Sequence, residues 1–169
     1  MKLNGSPTKR LWKFTGKVLS VAQPWASAIA YAGKDVENRS WRTQYRGPLA
    51  IHASHTMYED DLTRLLRTGR GGEERTLVEL ITQGQEALGI DPSIIRGHIV
   101  AVAMLVDCVD RSASIWFRGR WGWALDGIVP IVPVPWVGGL GLLDCKFTYE
   151  RMIQSTVRSV KQRDWERSP

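Results

Sequence analysis

The sequence has almost no cysteine: Cys108 and Cys145 are the only two in 169 residues and form no C-x-x-C pair. A disulfide framework and a four-cysteine zinc site are thereby excluded, and a reducing, cytoplasmic setting is expected. Long apolar runs are missing as well. The longest, Ile99 to Val106, falls far short of the roughly 20 residues a membrane-spanning helix needs. The opening MKLNGSPTKRLWKF is basic and lacks the apolar segment of a secretion signal, so no membrane association is expected. A phosphate-binding glycine loop, a G-x-S-x-G elbow and a nucleophile triad are absent too, and no cofactor is expected. His52 and His55 are spaced H-x-x-H, but no third ligand type stands beside them, and no metal site is expected.

What is present is an ordinary globular composition, 43% hydrophobic and 24% charged, which excludes wholesale disorder. The length suits one compact domain that buries roughly two-thirds of its unfolded surface. Eight Trp residues stand out, because indole serves equally as a core plate, an interface anchor or a platform for a nucleobase. Anions are scarce in the first third. From Met1 to Thr56 nine cations, Lys2, Lys9, Arg10, Lys13, Lys17, Lys34, Arg39, Arg42 and Arg46, face only Asp35 and Glu37, while the whole chain carries +6. Such a balance favours an anionic partner such as nucleic acid.

Residues 1–16 read as a loose basic arm, 17–148 as the domain, and 149–169 as a closing helix and tail. Lys17 to Val21 has the pattern of a first strand. Pro24 opens a short helix, since its fixed φ suits a helix start; Trp25, Ala28, Ile29 and Ala32 fall on one face, and Gly33 provides a left-handed stop. From Val36 the alternation predicts a strand with Glu37, Arg39 and Trp41 on one side. Arg46 to Pro48 is a turn, and Pro48 to Ser54 a further strand. Leu62, Leu65 and Leu66 mark one helix, and Leu77, Leu80, Ile81 and Leu88 another. Gly97 to Asp107 reads as a strand buried on both faces. Strands follow at Trp121 to Leu125, Ile128 to Val134 and Leu142 to Phe147, the second confined by Pro130, Pro133 and Pro135 to an edge or a bulged path. Many short strands with helices in one long connection predict a small mixed barrel with α+β content.

The stretch GKDVENRSW, Gly33 to Trp41, sets two cations and two anions between a glycine and an indole. Two readings are open: a charged strand edge that resists pairing with neighbours, or a polar site in which Glu37 accepts from a base amino group and Arg39 contacts a phosphate or carbonyl oxygen. Arg42 and Arg46 follow in a loop-like RTQYRG, and Trp116, Arg118, Arg120 and Trp121 repeat the aromatic and basic mixture in a second loop. That composition suits a single strand better than a duplex.

Ser20 to Ser54 strongly resembles the ASCH family, named for homology to activating signal cointegrator 1 and part of the PUA-like superfamily of small β-barrels. The family signature G-x-K-x-x-E-x-R is matched by Lys34, Glu37 and Arg39, with Ala32 in place of the first glycine. A QPWA helix start, R-S-W after the motif and R-G-x-L-x-I-x-A extend the likeness, which spans about residues 17–147. The resemblance implies a small PUA-like β-barrel with helices inserted between and flanking the strands. It also implies binding of RNA or a single-stranded nucleic acid in a cleft around Lys34, Glu37, Arg39, Trp41, Arg42, Arg46 and His52, with Trp25, Arg118, Arg120 and Trp121 as further candidates.

Some family members resemble amidohydrolases of acylated nucleosides that use a lysine at the Lys34 position and a nearby threonine. Lys34 and Glu37 are the catalytic candidates in that alternative. Glu37 stands at the threonine position, which removes the hydroxyl nucleophile and sets an anion beside Lys34. A second alternative is a protein-interaction module that engages a partner through its tryptophans.

Overall fold

The computed structural model describes residues 10–68, 73–90 and 94–152. β1, Leu11–Gln23, starts within the segment expected to be a loose arm. Its alternation explains why: Trp12, Phe14 and Val18 turn to one apolar cluster, Leu19 and Val21 to another. α1, Trp25–Tyr31, follows Pro24 as expected. The buried Gln23 side chain accepts from the Ser27 N–H at 3.0 Å and donates to the Ile95 carbonyl, so a helix start without a side-chain cap of its own still has an orphan donor satisfied.

β2 is Val36–Arg39 and β3 is Gly47–Met57. The helix expected around Leu62, Leu65 and Leu66 is instead a 3-10 turn, Glu59–Thr63, followed by β4, Leu65–Thr68, which pairs with β5, Glu73–Thr76. Three acidic residues in five at Glu59 to Asp61 leave no apolar face for a regular helix to bury. α2, Leu77–Ala87, starts on a capping box between Thr76 and Glu79 and buries Leu77 and Ile81. Each such side chain contributes about 1.5–3 kcal/mol by leaving water. α2 crosses α1 at Gly84, where a Cβ would overlap the Tyr31 backbone carbonyl.

β6 is His98–Val109, β7 Trp121–Pro135 and β8 Leu142–Glu150. β7 joins the two strands expected on either side of Asp126 into one. Its prolines lie where its second neighbour has ended, because β2 pairs only with Trp121 to Ala124. The main sheet has the order β2-β7-β6-β3-β1-β8 and is mixed, with β1 and β3 parallel and the other ladders antiparallel. The fold is α+β. The closed barrel implied by the resemblance is not formed by strand ladders: β2 and β8 end an open sheet, and a single bridge, Ile131 to Arg151, links β7 to the residue after β8. Phe14, Val18, Ala50, Ile99, Val102 and Ile131 fill one face of this sheet, and the larger cluster under α1 and α2 covers the other. The predicted closing helix at 149–160 gives way to strand at Tyr149 and Glu150; beyond Met152 it lies outside the described residues.

Candidate functional site

α1 ends at Gly33, whose φ of 72° is left-handed and favours glycine, and the Lys34 N–H bonds back to the Ala28 carbonyl at 3.1 Å. That turn directs the Lys34 side chain inward, where it is only 1% exposed. Its ammonium donates to the Val36 carbonyl and to Glu37 Oε2, the latter at 3.0 Å. The strand period of β2 sets Glu37 and Arg39 on one face. Arg39 Nη2 lies 3.2 Å from Glu37 Oε1 and donates to the Ser20 carbonyl at 2.8 Å. One carboxylate thus sits between two cations, with one positive charge in excess, and ties the end of α1 to β2 and β1. Burial holds the Lys34 amine below the ordinary lysine value; the Glu37 carboxylate opposes that shift and Arg39 adds to it.

Glu37 and Arg39 line a cavity of about 800 Å³, together with His52, Trp25, Tyr58 and Trp136. His52 enters from β3 opposite Ser20 in the parallel ladder, and Ser20 Oγ lies 3.0 Å from His52 Nδ1. The same hydroxyl accepts from the Gly139 N–H at 3.2 Å, which anchors the 137–141 loop over the pair. A Cβ at Gly138 would run into the His52 ring and the Ser20 hydroxyl, so only glycine allows this approach. Burial pushes the His52 imidazole below its ordinary value; the Trp136 carbonyl opposes that shift, and His55 and His98 reinforce it. At neutral pH the ring is uncharged and offers one donor and one acceptor.

Two nitrogens on side chains that line this cavity lack a protein partner among the described residues. Arg39 Nε and His52 Nε2 are buried without a hydrogen bond among the described residues, although such groups are paired in most folded proteins.

The structure separates the remaining candidates. Trp25 lines the cavity, its indole held by a 3.0 Å hydrogen bond from Nε1 to Asp61 Oδ2. Lys34 is sealed behind Glu37 and does not line it. Trp41 falls after β2 has ended, is 40% exposed, and meets the buried Trp123 edge-on at 4.6 Å between ring centroids. Arg42 lies over the Trp121 ring at 5.5 Å. Arg46, before the start of β3, turns to Asp107, Nη2 to Oδ1 2.8 Å, and does not line the cavity. Arg118 lines a neighbouring pocket, and Arg120 is exposed. Among the described residues no group of three or more His, Cys, Asp or Glu is placed to hold a metal ion, and no helix is long and apolar enough to cross a membrane.

Sequence reasoning passed over Ser20, Asn38, Trp136 and the glycines at 138 and 139. Asn38 sits at a variable position inside the signature, yet it donates to the Trp116 carbonyl at 2.8 Å and accepts from the Arg118 N–H at 2.7 Å, fixing the second aromatic loop. The WVGGLG run, Trp136 to Gly141, was the available signal for a loop that approaches another backbone closely.

The family model for the ASCH domain matches residues 19–119, which takes in the signature, the cationic cluster around it and the loop that Asn38 holds. The chain belongs to the ASCH domain family. No curated protein matches the sequence. The cavity of this ASCH domain is built from both sides of that boundary: Ser20, Glu37, Arg39 and His52 lie inside the matched residues, while Trp136 and the glycine loop lie beyond them.

Proposed function

We propose that this ASCH domain binds nucleic acid, RNA or another single strand, by taking one nucleotide into the 800 Å³ cavity. The observation that carries the reading is that cationic, hydrogen-bonding and aromatic side chains, Arg39, His52 and Trp25 among them, converge on this one cavity. The volume falls within the range of about 300–1,000 Å³ typical of small-molecule sites. Trp25, Tyr58 and Trp136 supply aromatic walls, against which a base stacks for about 1–3 kcal/mol. The excess positive charge of the Lys34–Glu37–Arg39 cluster favours an anionic ligand.

Hydrolysis of an acylated nucleoside has one observation in its favour, the depressed Lys34 amine. That amine is committed to Val36 and Glu37 and does not reach the cavity wall, so a substrate there meets Arg39 and His52 instead. The deciding experiment titrates single-stranded and duplex RNA into the protein and follows tryptophan fluorescence. Single strands bind preferentially, and Arg39→Lys weakens them about tenfold, because an ammonium cannot reproduce the guanidinium fork. Equal affinity for duplex, indifference to Arg39→Lys, or repeated turnover of acetylcytidine would overturn the reading.

A further inference from the structure

Beside the cavity lies a second pocket of about 210 Å³. Trp25 and Asn38 belong to the walls of both, so the two chambers share a partition. The partition is fixed: Asp61 holds the Trp25 indole, and Asn38 is bonded on both ends of its amide to the 116–118 loop. Beyond it the small pocket has apolar walls, Leu66, Ile115 and Trp116, and two arginines, Arg64 and Arg118. The Arg64 guanidinium lies 5.7 Å from the centre of the Trp25 ring and 3.9 Å from Asp61 Oδ1. The single carboxylate is therefore matched, and one positive charge is left over. Ile115 keeps 41% of its surface exposed, a large apolar side chain at a pocket with nothing against it.

Proteins that hold single strands set aromatic platforms in a cationic groove, because every base has a π face and every linkage a negative charge. Guanidinium groups contribute twice, over rings and against phosphate. Two chambers on either side of one indole, the smaller walled by apolar side chains and flanked by two arginines, have that pattern. We propose that the small pocket is a second nucleotide subsite: the ligand is a single strand that places consecutive nucleotides on either side of Trp25, with Arg64 and Arg118 against the linking phosphate. The inference rests on the reading of the larger cavity as a nucleotide site.

Calorimetric titration of the full chain with the common ribonucleoside 5′-monophosphates, and with the corresponding homodinucleotides, separates the two. For a base that enters the cavity, the dinucleotide binds about tenfold tighter than the mononucleotide, the gain expected of one more stacked base. Arg64→Ala and Ile115→Glu each remove that gain, and Ile115→Glu leaves mononucleotide affinity as it was. Ile115 is a partly exposed wall residue, and thermal melts of both variants establish that they fold. Dinucleotide binding without measurable mononucleotide binding, abolished in both variants, gives the same answer. Equal affinity for the two ligands, or a gain that survives both substitutions, overturns the second subsite and leaves the first intact. Binding of neither ligand overturns both.

Discussion

At the scale of single residues, the ASCH signature divides its labour between a buried half and an open half. Lys34 is 1% exposed, and its Glu37 partner is nearly as enclosed, whereas the Arg39 side chain keeps 23% of its surface. Lys34→Ala removes the more buried of the two cations beside Glu37 and opens a cavity where a fully buried side chain stood, so it is expected to destabilise the domain by about 3–5 kcal/mol. Lys34→Met, which keeps the volume, costs less. Arg39→Ala leaves Glu37 paired with Lys34 and costs only about 1–3 kcal/mol, yet it weakens ligand binding sharply. Denaturant unfolding and binding curves on the three variants check this, and equal losses for Lys34→Ala and Arg39→Ala would contradict it. His52 gives a pH signature. Because burial lowers its folded pKa below the ordinary 6.5, the unfolded chain takes up the proton first. Its contribution is complete above about pH 6.5 and is lost progressively as pH falls towards the folded value. Melting temperatures measured from about pH 7 to pH 5 should fall, and His52→Gln should flatten that fall; an unchanged slope would mean that the ring titrates as if free.

At the scale of elements, the contact between α1 and α2 reverses a common expectation. Replacing a mid-helix glycine by alanine ordinarily gains about 0.8–1.0 kcal/mol of helix propensity. At Gly84 the added methyl group would meet the backbone carbonyl of Tyr31, which cannot swing aside like a side chain. Gly84→Ala should therefore lower stability by about 1–3 kcal/mol, read from thermal melts, and any stabilisation would show that the helices separate freely. The close approach matters for the site, because α1 carries Trp25 at its start and delivers Lys34 beyond its end. This contact was invisible in the sequence, where Gly84 is one polar-flanked position in LITQGQEA. α1, α2 and β6 were legible, because their apolar residues repeat at 3.6 or run unbroken, but β6 is buried on both faces only from Ile99 to Ala103 and exposes Met104 and Val106 beyond. The 59–68 segment was misread because Leu62, Leu65 and Leu66 imitate a helical spacing, while strand pairing of Leu65 and Leu66 with Arg75 and Thr76 decides the outcome. The signature was legible as charge chemistry; the inward turn of Lys34 was not, since it depends on how the backbone leaves α1.

At the scale of the whole molecule, part of the concentration of cations in the first third is paired when the chain folds. Lys17 pairs with Asp144 at 2.8 Å, Arg46 with Asp107 at 2.8 Å, and Lys34 and Arg39 share Glu37. Folding thus pairs two of the nine early cations, Lys17 and Arg46, with acids that lie elsewhere in the chain, and two more with Glu37 of their own segment, pairings that net charge by segment cannot reveal. The cations that line the two pockets are instead Arg39, Arg64 and Arg118, drawn from three separated segments and joined only by the sheet and the 116–118 loop. The affinity of a single strand falls with salt on logarithmic axes with a slope of about −0.7 for each phosphate neutralised. Three arginines then give a slope of about −2, shallower than a total charge of +6 suggests. Titration of a short single-stranded RNA across a range of salt concentrations measures it. A slope near zero would remove phosphate contacts from the site altogether. A slope about twice as steep would assign further contacts to cations away from the two pockets, Arg42 and Arg120 first, and their alanine variants would then bring the slope back towards −2.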